Sequence, residues 1–248
     1  MFSPDLSVIK TAIQHVESKV FRDFHELEEL QNSVAVMKFA TMTVEKLKND
    51  FFEHFVKSRP TAKIVVKDGK THEGSKGDTE IYINCISGIK NFVHAIPYFA
   101  TIIGIKKNGK FVTALVNNYA TQEMFTVEGG SGAYLNGKRM RVSTKNNMAS
   151  VILGIKYDAS KQKFIDLLEH MKATFKINNC SILDACHTAS GKLDGGIVFE
   201  CTKEEAEIIE LFTVESGGLF NFINEEKTSC FYSNSLIHNN IKQMLGIL

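Results

Sequence analysis

Two Asn-Gly dipeptides, Asn108-Gly109 and Asn136-Gly137, restrict the folds open to this chain more than any other feature. Asn-Gly is favoured in two-residue hairpin turns, because both turn residues must adopt a positive φ. β-Forming segments flank each pair, so the sequence predicts an antiparallel sheet. Its predicted strands are residues 81–83, 99–106, 111–117, 123–128 and 139–143.

Amphipathic helices are predicted before this sheet. Ser3 is suited to be an N-cap, Pro4 fits the first helical position, and apolar residues follow at helical spacing. A polar, glycine-rich segment then indicates a surface loop. The predicted elements are a helix over 6–24, a helix over 37–55, a strand over 63–66 and a loop over 67–77.

From Val151 onward the pattern alternates between strands and helices, which is typical of an α/β fold. The predicted elements are strand 151–156, helices 161–174 and 181–193, strand 195–199, helix 203–215, strand 219–223 and a closing helix from Ser235.

The chain is long enough to bury a sizeable core, with 248 residues of which 44% are apolar. We predict one α/β domain over 1–248. Its N-terminal half, 1–145, would hold two helices and the antiparallel sheet, and its C-terminal half, 146–248, a mixed sheet with helices.

Charge and hydropathy exclude several classes of protein. The formal net charge of +1 gives no long-range attraction to nucleic acid or to an anionic membrane. No apolar run approaches the roughly 18 residues of a membrane helix, and Asp5 lies where a signal peptide would be apolar. We expect a cytoplasmic protein with no membrane association.

Cysteine usage indicates a reducing compartment. The chain has five cysteines, an odd number, and no C-x-x-C pair. We therefore predict reduced core thiols rather than a disulfide framework or a zinc cluster. They are Cys85, Cys180, Cys186, Cys201 and Cys230.

The segment Asn84-Cys85-Ile86-Ser87-Gly88, which follows the first predicted sheet strand, is the candidate site. Small residues after a strand expose backbone N–H groups, as in many phosphate sites, but this segment lacks the charges that a metal site needs. Cys85 is interpreted as a packed thiol. The alternative is a reactive thiolate activated by the oriented amides.

Several spaced motifs, in order, resemble the inositol monophosphatase family. The resemblance extends from about Val44 to the C-terminal part of the chain. The motifs are Asn91-Phe92-Val93-His94 with Pro97, the run from Glu128 to Lys138, Val142-Ser143, the segment from Gly191 to Asp194, Glu215-Ser216-Gly217-Gly218 and Ser233-Asn234.

The resemblance implies a layered α-β-α-β-α sandwich, a homodimer and an ancestral Mg²⁺-dependent phosphomonoesterase. In that family the turn after the strand reads Asp-Pro-Ile-Asp-Gly-Thr. Its carboxylates hold Mg²⁺, which activates water and clamps phosphate oxygens, while the turn amides hold the phosphate.

The family's metal and phosphate positions fall on altered residues here. Asn84 and Ser87 stand for the two aspartates and Ile89 for the threonine, while Lys67 stands for a metal-binding glutamate and Thr41 for another acidic residue. Glu205 keeps a carboxylate. The weak metal candidates are Asp68, Ile86 and Glu205, and the phosphate-binding candidates are Ser87, Gly88 and Ile89.

The substrate-facing positions of the family have changed as well. They fall on Asn179, Cys180, Ser181 and Val198. Glu200 would share a strand face with Val198 if the strand extended that far, because side chains alternate along a strand.

These replacements favour a pseudoenzyme that acts as a binding or regulatory protein with Mg²⁺ absent or weakly bound. The expected partners are a second copy, a small anionic or phosphate ligand, and a protein of the transcription machinery, as the resemblance to bacterial relatives implies. The alternative is an active phosphatase on inositol phosphates or other small phosphomonoesters that uses Glu205 and Asp68, or no metal at all.

Overall fold

The computed structural model describes residues 3–31, 35–75, 77–156 and 172–247. The chain divides into two compact units, residues 1–126 and 127–248. The halves predicted from the sequence, 1–145 and 146–248, stay a prediction. Most of the helix predicted over 161–174 lies outside the described residues.

Two long helices of the first unit confirm the N-terminal prediction. Helix α1 (Pro4–Glu29) begins at the N-cap Ser3, whose side chain accepts a hydrogen bond from the Leu6 N–H group. Helix α2 (Ala35–Ser58) packs against α1. Both helices bury one apolar stripe against the sheet, because their apolar residues recur at helical spacing.

The sheet of the first unit has the strand order β2-β1-β3-β4-β5-β6. Pairing is antiparallel from β3 to β5, and Asn108-Gly109 closes the β4–β5 hairpin with positive φ at both residues, as predicted. The strands are β1 (Lys63–Val66), β2 (Thr71–His72), β3 (Thr79–Ser87), β4 (Ala100–Lys107), β5 (Lys110–Asn118) and β6 (Glu123–Glu128).

One pair in this sheet corrects the prediction of purely antiparallel pairing. Strand β1 runs parallel to β3, and β2 pairs antiparallel with the other edge of β1. The predicted loop over 67–77 thus contains a short strand. Because the chain reverses direction once to form β2 and again to enter β3, β3 runs in the same direction as β1. The sheet is therefore mixed.

Strand β3 is longer than the sequence predicts. Asn84 to Ser87 belong to the strand, although they were expected to form the turn. A bulge between Asn84 and Ser87 explains this, because it shifts the register against β4 without ending the pairing. The turn is reduced to Gly88, and a short helix, α3 (Ile89–Val93), follows.

The second unit contains a five-stranded mixed sheet with the order β10-β9-β11-β13-β12. Strands β9 to β11 pair in parallel, while β13 is antiparallel to both of its neighbours. The strands of this sheet are β9 (Ile152–Lys156), β10 (Thr174–Lys176), β11 (Gly195–Val198), β12 (Leu219–Phe222) and β13 (Cys230–Ser233). Strands β7 (Gly132–Leu135) and β8 (Lys138–Arg139) form an antiparallel hairpin that continues the first sheet after β6.

Helices of the second unit pack on this sheet. Among the described residues they are α4 (Ser181–Ala189), α5 (Lys203–Glu215) and α6 (His238–Met244), and a 3-10 turn covers Met148–Ser150. The bounds of α5 match the prediction. Helix α4 ends before the predicted residue 193 because Gly191 adopts φ +74°, and α6 begins after Ser235 because the Asn234 side chain caps the Leu236 and Ile237 N–H groups.

Three differences from the prediction concern strands of this unit. The strand predicted over 139–143 stops at Arg139, because the Val142 N–H group donates to the Ser216 carbonyl and Ser143 bonds to Asp194. Thr174, the predicted end of a helix, begins β10. Strand β13 was not predicted at all.

The prediction that the cysteines are core thiols is confirmed, since all five are buried and free. Within the residues that the structure describes, no helix is long and apolar enough to cross a membrane.

Candidate functional site

The candidate site lies where β3 passes into α3. Gly88 adopts φ +81° and ψ +38°, a left-handed conformation that glycine reaches without steric cost. Its carbonyl accepts the Phe92 N–H group at 3.1 Å and so begins the helix. The strand therefore passes through a single left-handed residue directly into the short helix α3.

The side chains at this turn are neutral and mostly buried. Asn84 is 5% exposed and Ser87 8% exposed, and Cys85 and Ile86 lie beside them in the core. Ile89, by contrast, is 44% exposed. Burying a neutral amide or hydroxyl costs far less free energy than burying a carboxylate without a counter-ion, so these residues suit a turn that holds no metal.

Cys85 is held as an unreactive thiol. Burial is the main cause that raises its pKa to about 12, with Glu45 and Asp50 adding to the rise and Lys48 opposing it. Its carbonyl accepts the Thr101 hydroxyl at 2.6 Å. The thiolate that nucleophilic chemistry needs is disfavoured at neutral pH, so the packed-thiol interpretation is supported.

Lys67 and Asp68 lie in the tight turn between β1 and β2. The Lys67 N–H group donates to the Ile83 carbonyl at 2.8 Å, which ties this turn to β3. Asp68 is exposed and has φ +53°. Its carbonyl accepts the Lys48 ammonium at 2.9 Å, and the same ammonium contacts Glu45 at 2.8 Å.

Lys48 is a residue that the sequence interpretation missed. It lies on α2, and its side chain is 17% exposed. The Glu45 and Lys48 spacing of i, i+3 on a helix was the available signal, although it did not indicate the contact with Asp68. The ammonium therefore lies at the weak metal candidate Asp68, where it opposes the binding of a cation.

The Thr41 side chain is hydrogen-bonded to the backbone of its own helix, α2. Its hydroxyl donates to the Met37 carbonyl at 2.8 Å. It is exposed on α2 and supplies no charge for a metal.

Two of the predicted residues in the second unit, Ser181 and Glu205, are brought together. The Ser181 hydroxyl donates to a Glu205 carboxylate oxygen at 2.7 Å, and Glu205 is 3% exposed. The Glu205 N–H group donates to the N-cap Thr202 side chain at 3.2 Å. The retained carboxylate is thus buried near the start of α5 with a hydroxyl partner.

The other predicted pocket residues differ from one another. Cys180 precedes α4 and is buried, Asn179 has φ +56°, and Val198 is buried in β11. Glu200 is exposed and lies beyond the end of β11, so the condition for it to share a strand face with Val198 is not met.

The residues at the family's metal positions in the first unit do not fit Mg²⁺. Their side chains are an ammonium (Lys67), an amide (Asn84) and two hydroxyls (Thr41 and Ser87). Mg²⁺ needs hard oxygen ligands, with carboxylates to balance its charge. Across the described ranges no group of three or more His, Cys, Asp or Glu side chains could hold a metal ion.

Comparison with known proteins gives the family and the fold. The model of the inositol monophosphatase family matches residues 2–206. The chain is 28% identical to inositol-1-monophosphatase of Rhizobium meliloti, covering 77% of this chain and 74% of that protein. It is 25% identical to the Nus factor SuhB of Pasteurella multocida, covering 88% of this chain and 84% of that one.

A solved structure agrees with this assignment. The extragenic suppressor protein SuhB of Bartonella henselae superposes with a TM-score of 0.85 at 22% identity, covering 98% of this chain and all of that chain. The predicted α/β fold class is thereby confirmed. The chain belongs to the inositol monophosphatase family.

Proposed function

We propose that this chain is a catalytically impaired member of its family that works as a binding or regulatory protein. The observation that carries the proposal is the set of side chains at the β3–α3 turn and at Lys67 in the β1–β2 turn. Asn84 and Ser87 are neutral where the family has aspartates, and Lys67 is cationic where it has a glutamate. The charges that would attract Mg²⁺ are missing from these positions.

The size of the electrostatic loss supports the proposal. One charge pair at about 4 Å is worth on the order of 4 kcal/mol at an effective dielectric constant near 20. All four replaced acidic positions lack that attraction, and Lys67 adds repulsion. Each loss of about 1.4 kcal/mol in transition-state stabilisation slows a reaction tenfold, so the ancestral rate would fall by many orders of magnitude.

The expected partners follow from the relatives and the turn. Relatives that are named Nus factors support a protein partner in the transcription machinery. Ser87, Gly88 and Ile89 form the proposed site for a small anion bound without metal, through hydroxyl and backbone donors. A homodimer and a cytoplasmic location complete the proposal.

A second candidate is a phosphatase with an altered metal site. The buried Glu205 carboxylate favours it, because this family position is retained and hydrogen-bonded to Ser181. Asp68 would be the other ligand in this scheme. The Lys48 ammonium at the Asp68 carbonyl argues against it.

Phosphate release separates the two candidates. The wild-type chain and a Glu205→Ala variant are assayed with Mg²⁺ and Mn²⁺ against inositol, sugar and nucleotide monophosphates. We expect no metal-dependent turnover in either protein. Metal-dependent turnover that Glu205→Ala abolishes would establish the phosphatase instead.

The binding role needs its own measurement. Surface plasmon resonance against purified RNA polymerase from the same organism should give saturable binding that Glu205→Ala leaves unchanged. Absence of binding at micromolar concentrations would remove the transcription partner from the proposal, while the conclusion on catalysis would still rest on the assay.

A further inference from the structure

A cavity of about 210 Å³ opens between α1 and α2 in the first unit. Each helix lines it with four residues at the spacing i, i+3, i+4 and i+7, which places them on one face of that helix. The lining residues are Lys19, Arg22, Asp23 and Glu26 from α1, and Phe39, Met42, Thr43 and Lys46 from α2. None of these residues belongs to the β3–α3 turn.

Some of the charges in this cavity are already neutralised. Asp23 is 7% exposed, and its carboxylate accepts the Thr43 hydroxyl at 3.2 Å and the Arg22 guanidinium at 3.1 Å. Lys19 contacts the Asp50 carboxylate at 2.5 Å. These contacts stabilise the polar inner wall, because a buried carboxylate is tolerated only with hydrogen-bonded or charged partners.

Two opposite charges remain at the cavity. Glu26 on α1 and Lys46 on α2 make no side-chain hydrogen bond or ion pair with any residue that the structure describes. They belong to opposite walls. The Arg22 side chain, which is 75% exposed, adds donors beyond the one that it gives to Asp23.

The remaining lining is apolar and open to a ligand. Met42 is 48% exposed, far more than a core methionine, and Phe39 is partly buried beside it. A thioether and an aromatic ring adapt well to aliphatic or aromatic side chains. The volume lies below the roughly 300 Å³ at which drug-sized pockets begin, so the cavity suits a small metabolite.

We propose that this cavity binds a small zwitterion of the amino-acid type with an apolar side chain. The ligand carboxylate would pair with Lys46 and Arg22, its ammonium with Glu26, and its side chain would contact Phe39 and Met42. Such a ligand satisfies both remaining charges at once. A simple anion would meet Glu26 and Asp23, and a simple cation would meet Lys19, Arg22 and Lys46.

Calorimetric titration with free amino acids tests the proposal directly. L-Leucine, L-methionine and L-phenylalanine should bind the full-length chain, whereas their N-acetyl and methyl ester forms, each lacking one charge, should bind at least about tenfold more weakly, which corresponds to about 1.4 kcal/mol. Inorganic phosphate should not displace leucine from this cavity, because the proposed anion site at the β3–α3 turn shares no residue with it.

Variants identify the site. Glu26→Gln and Lys46→Met should each weaken leucine binding about tenfold or more, and Met42→Ala should reduce the preference for leucine over alanine. Glu17→Gln is the matched control on α1, about two and a half turns away and so on the opposite face. Lys57→Met is the control on α2, about three turns further along. Both controls should bind as the wild type does.

Three results would overturn the proposal. The first is no saturable heat from any of the three amino acids at about 10 mM, a concentration that detects even millimolar affinity. The second is equal binding of the charge-blocked forms. The third is unchanged leucine binding in the Glu26→Gln, Lys46→Met double variant, with thermal unfolding verifying that every variant is folded.

Discussion

The β3–α3 turn of the first unit and the Asp194 network of the second unit carry motifs of the same family, yet their acidic positions differ. At the turn, neutral Asn84 and Ser87 are buried. In the second unit position 194 is an aspartate, and its side chain is fully buried. It accepts hydrogen bonds from the Ser143 hydroxyl at 2.5 Å, the Lys145 ammonium at 3.2 Å and the Ile152 N–H group at 2.8 Å.

This comparison distinguishes two kinds of acidic residue: those whose carboxylate would bind a metal ion, and those whose carboxylate stabilises the fold through hydrogen bonds within the protein. The partner of a metal-site carboxylate is the bound ion. Once the ion is no longer needed, replacing that carboxylate by a neutral residue does not lower the stability of the fold. Asp194 has its partners within the protein. Glu215 is similar, since its carboxylate accepts the Gly130 and Gly132 N–H groups at 2.6 and 2.8 Å. Removing either one would leave buried or oriented donors unsatisfied.

Restoring the acidic residues is the most sensitive test of whether their replacement removed a metal site. The variant Lys67→Glu, Asn84→Asp, Ser87→Asp and Ile89→Thr should bind Mg²⁺ in calorimetry. Each restored charge contributes about 4 kcal/mol at close range, or about a thousandfold in affinity. Without Mg²⁺ the variant should unfold at a lower temperature than the wild type, because carboxylates would replace the buried amide and hydroxyl.

A matched control variant changes two of the same positions without introducing a negative charge. The variant Lys67→Gln with Ile89→Thr removes the lysine and restores the threonine without adding a carboxylate, and it should not bind Mg²⁺. If the four-residue variant takes up neither Mg²⁺ nor Mn²⁺, the assignment of the family's metal positions to these residues is wrong.

Removing the Asp194 carboxylate tests whether this residue stabilises the fold of the second unit. Asp194→Ala should lower the free energy of unfolding by about 3–5 kcal/mol, because it leaves an N–H group, a hydroxyl and a cation without their acceptor. Urea unfolding measures this loss. Lys145→Met removes only the cation, which is 44% exposed, and leaves the other two donors in place, so it should cost less than Asp194→Ala.

Ser143→Ala gives the same information if Asp194→Ala does not fold. It removes one hydrogen bond to the carboxylate and should cost about 1.5–3 kcal/mol. Losses below about 0.5 kcal/mol for both Asp194→Ala and Ser143→Ala would contradict a structural role for the network, since that range is typical of ordinary surface changes.

His238 should make the second unit sensitive to acid. Burial, with a smaller contribution from Lys242, lowers its pKa to about 4. Its ring stacks on Phe231 and lies 2.9 Å from the Ser233 hydroxyl and 2.7 Å from the Asn221 side-chain oxygen. The unfolded state binds the proton more tightly, so stability is fully present above about pH 6.5 and falls as the pH drops toward 4.

The expected loss over this window is at most about 3 kcal/mol, since one pKa unit corresponds to about 1.4 kcal/mol. Urea unfolding at several pH values measures it, and His238→Gln should flatten the dependence between about pH 4 and 6.5. The exposed His94→Gln is the control and should retain the wild-type slope. An unchanged slope in His238→Gln would show that other groups cause the acid sensitivity.

Local patterns predicted much of the fold. The Ser3-Pro4 helix start, both Asn-Gly turns and helix α5 were found because capping, turn geometry and helical periodicity depend on residues close in sequence. Strand β13 was missed, and the strand after Asn136-Gly137 was predicted too long. Their pairing depends on distant partners: Cys230 with Val198, and Val142 with Ser216.

The candidate site was predicted only in part. The sequence identified Asn84, Ser87 and Lys67 as replacements by resemblance, and the structure adds that the first two are buried. Lys48 at the Asp68 carbonyl was not foreseen, because α2 and the β1–β2 turn are separated in the chain and meet only through packing.

Residue types and their spacing were enough to identify the family, most helices and strands, and the replaced carboxylates at the turn. The packed structure was needed to show that β3 continues through a bulge to Ser87, that Asp194 has three donors and that Glu26 and Lys46 share a cavity. The reason is physical. Residue type and spacing set charge and local conformation, whereas burial and contacts between distant residues are settled when helices and strands pack.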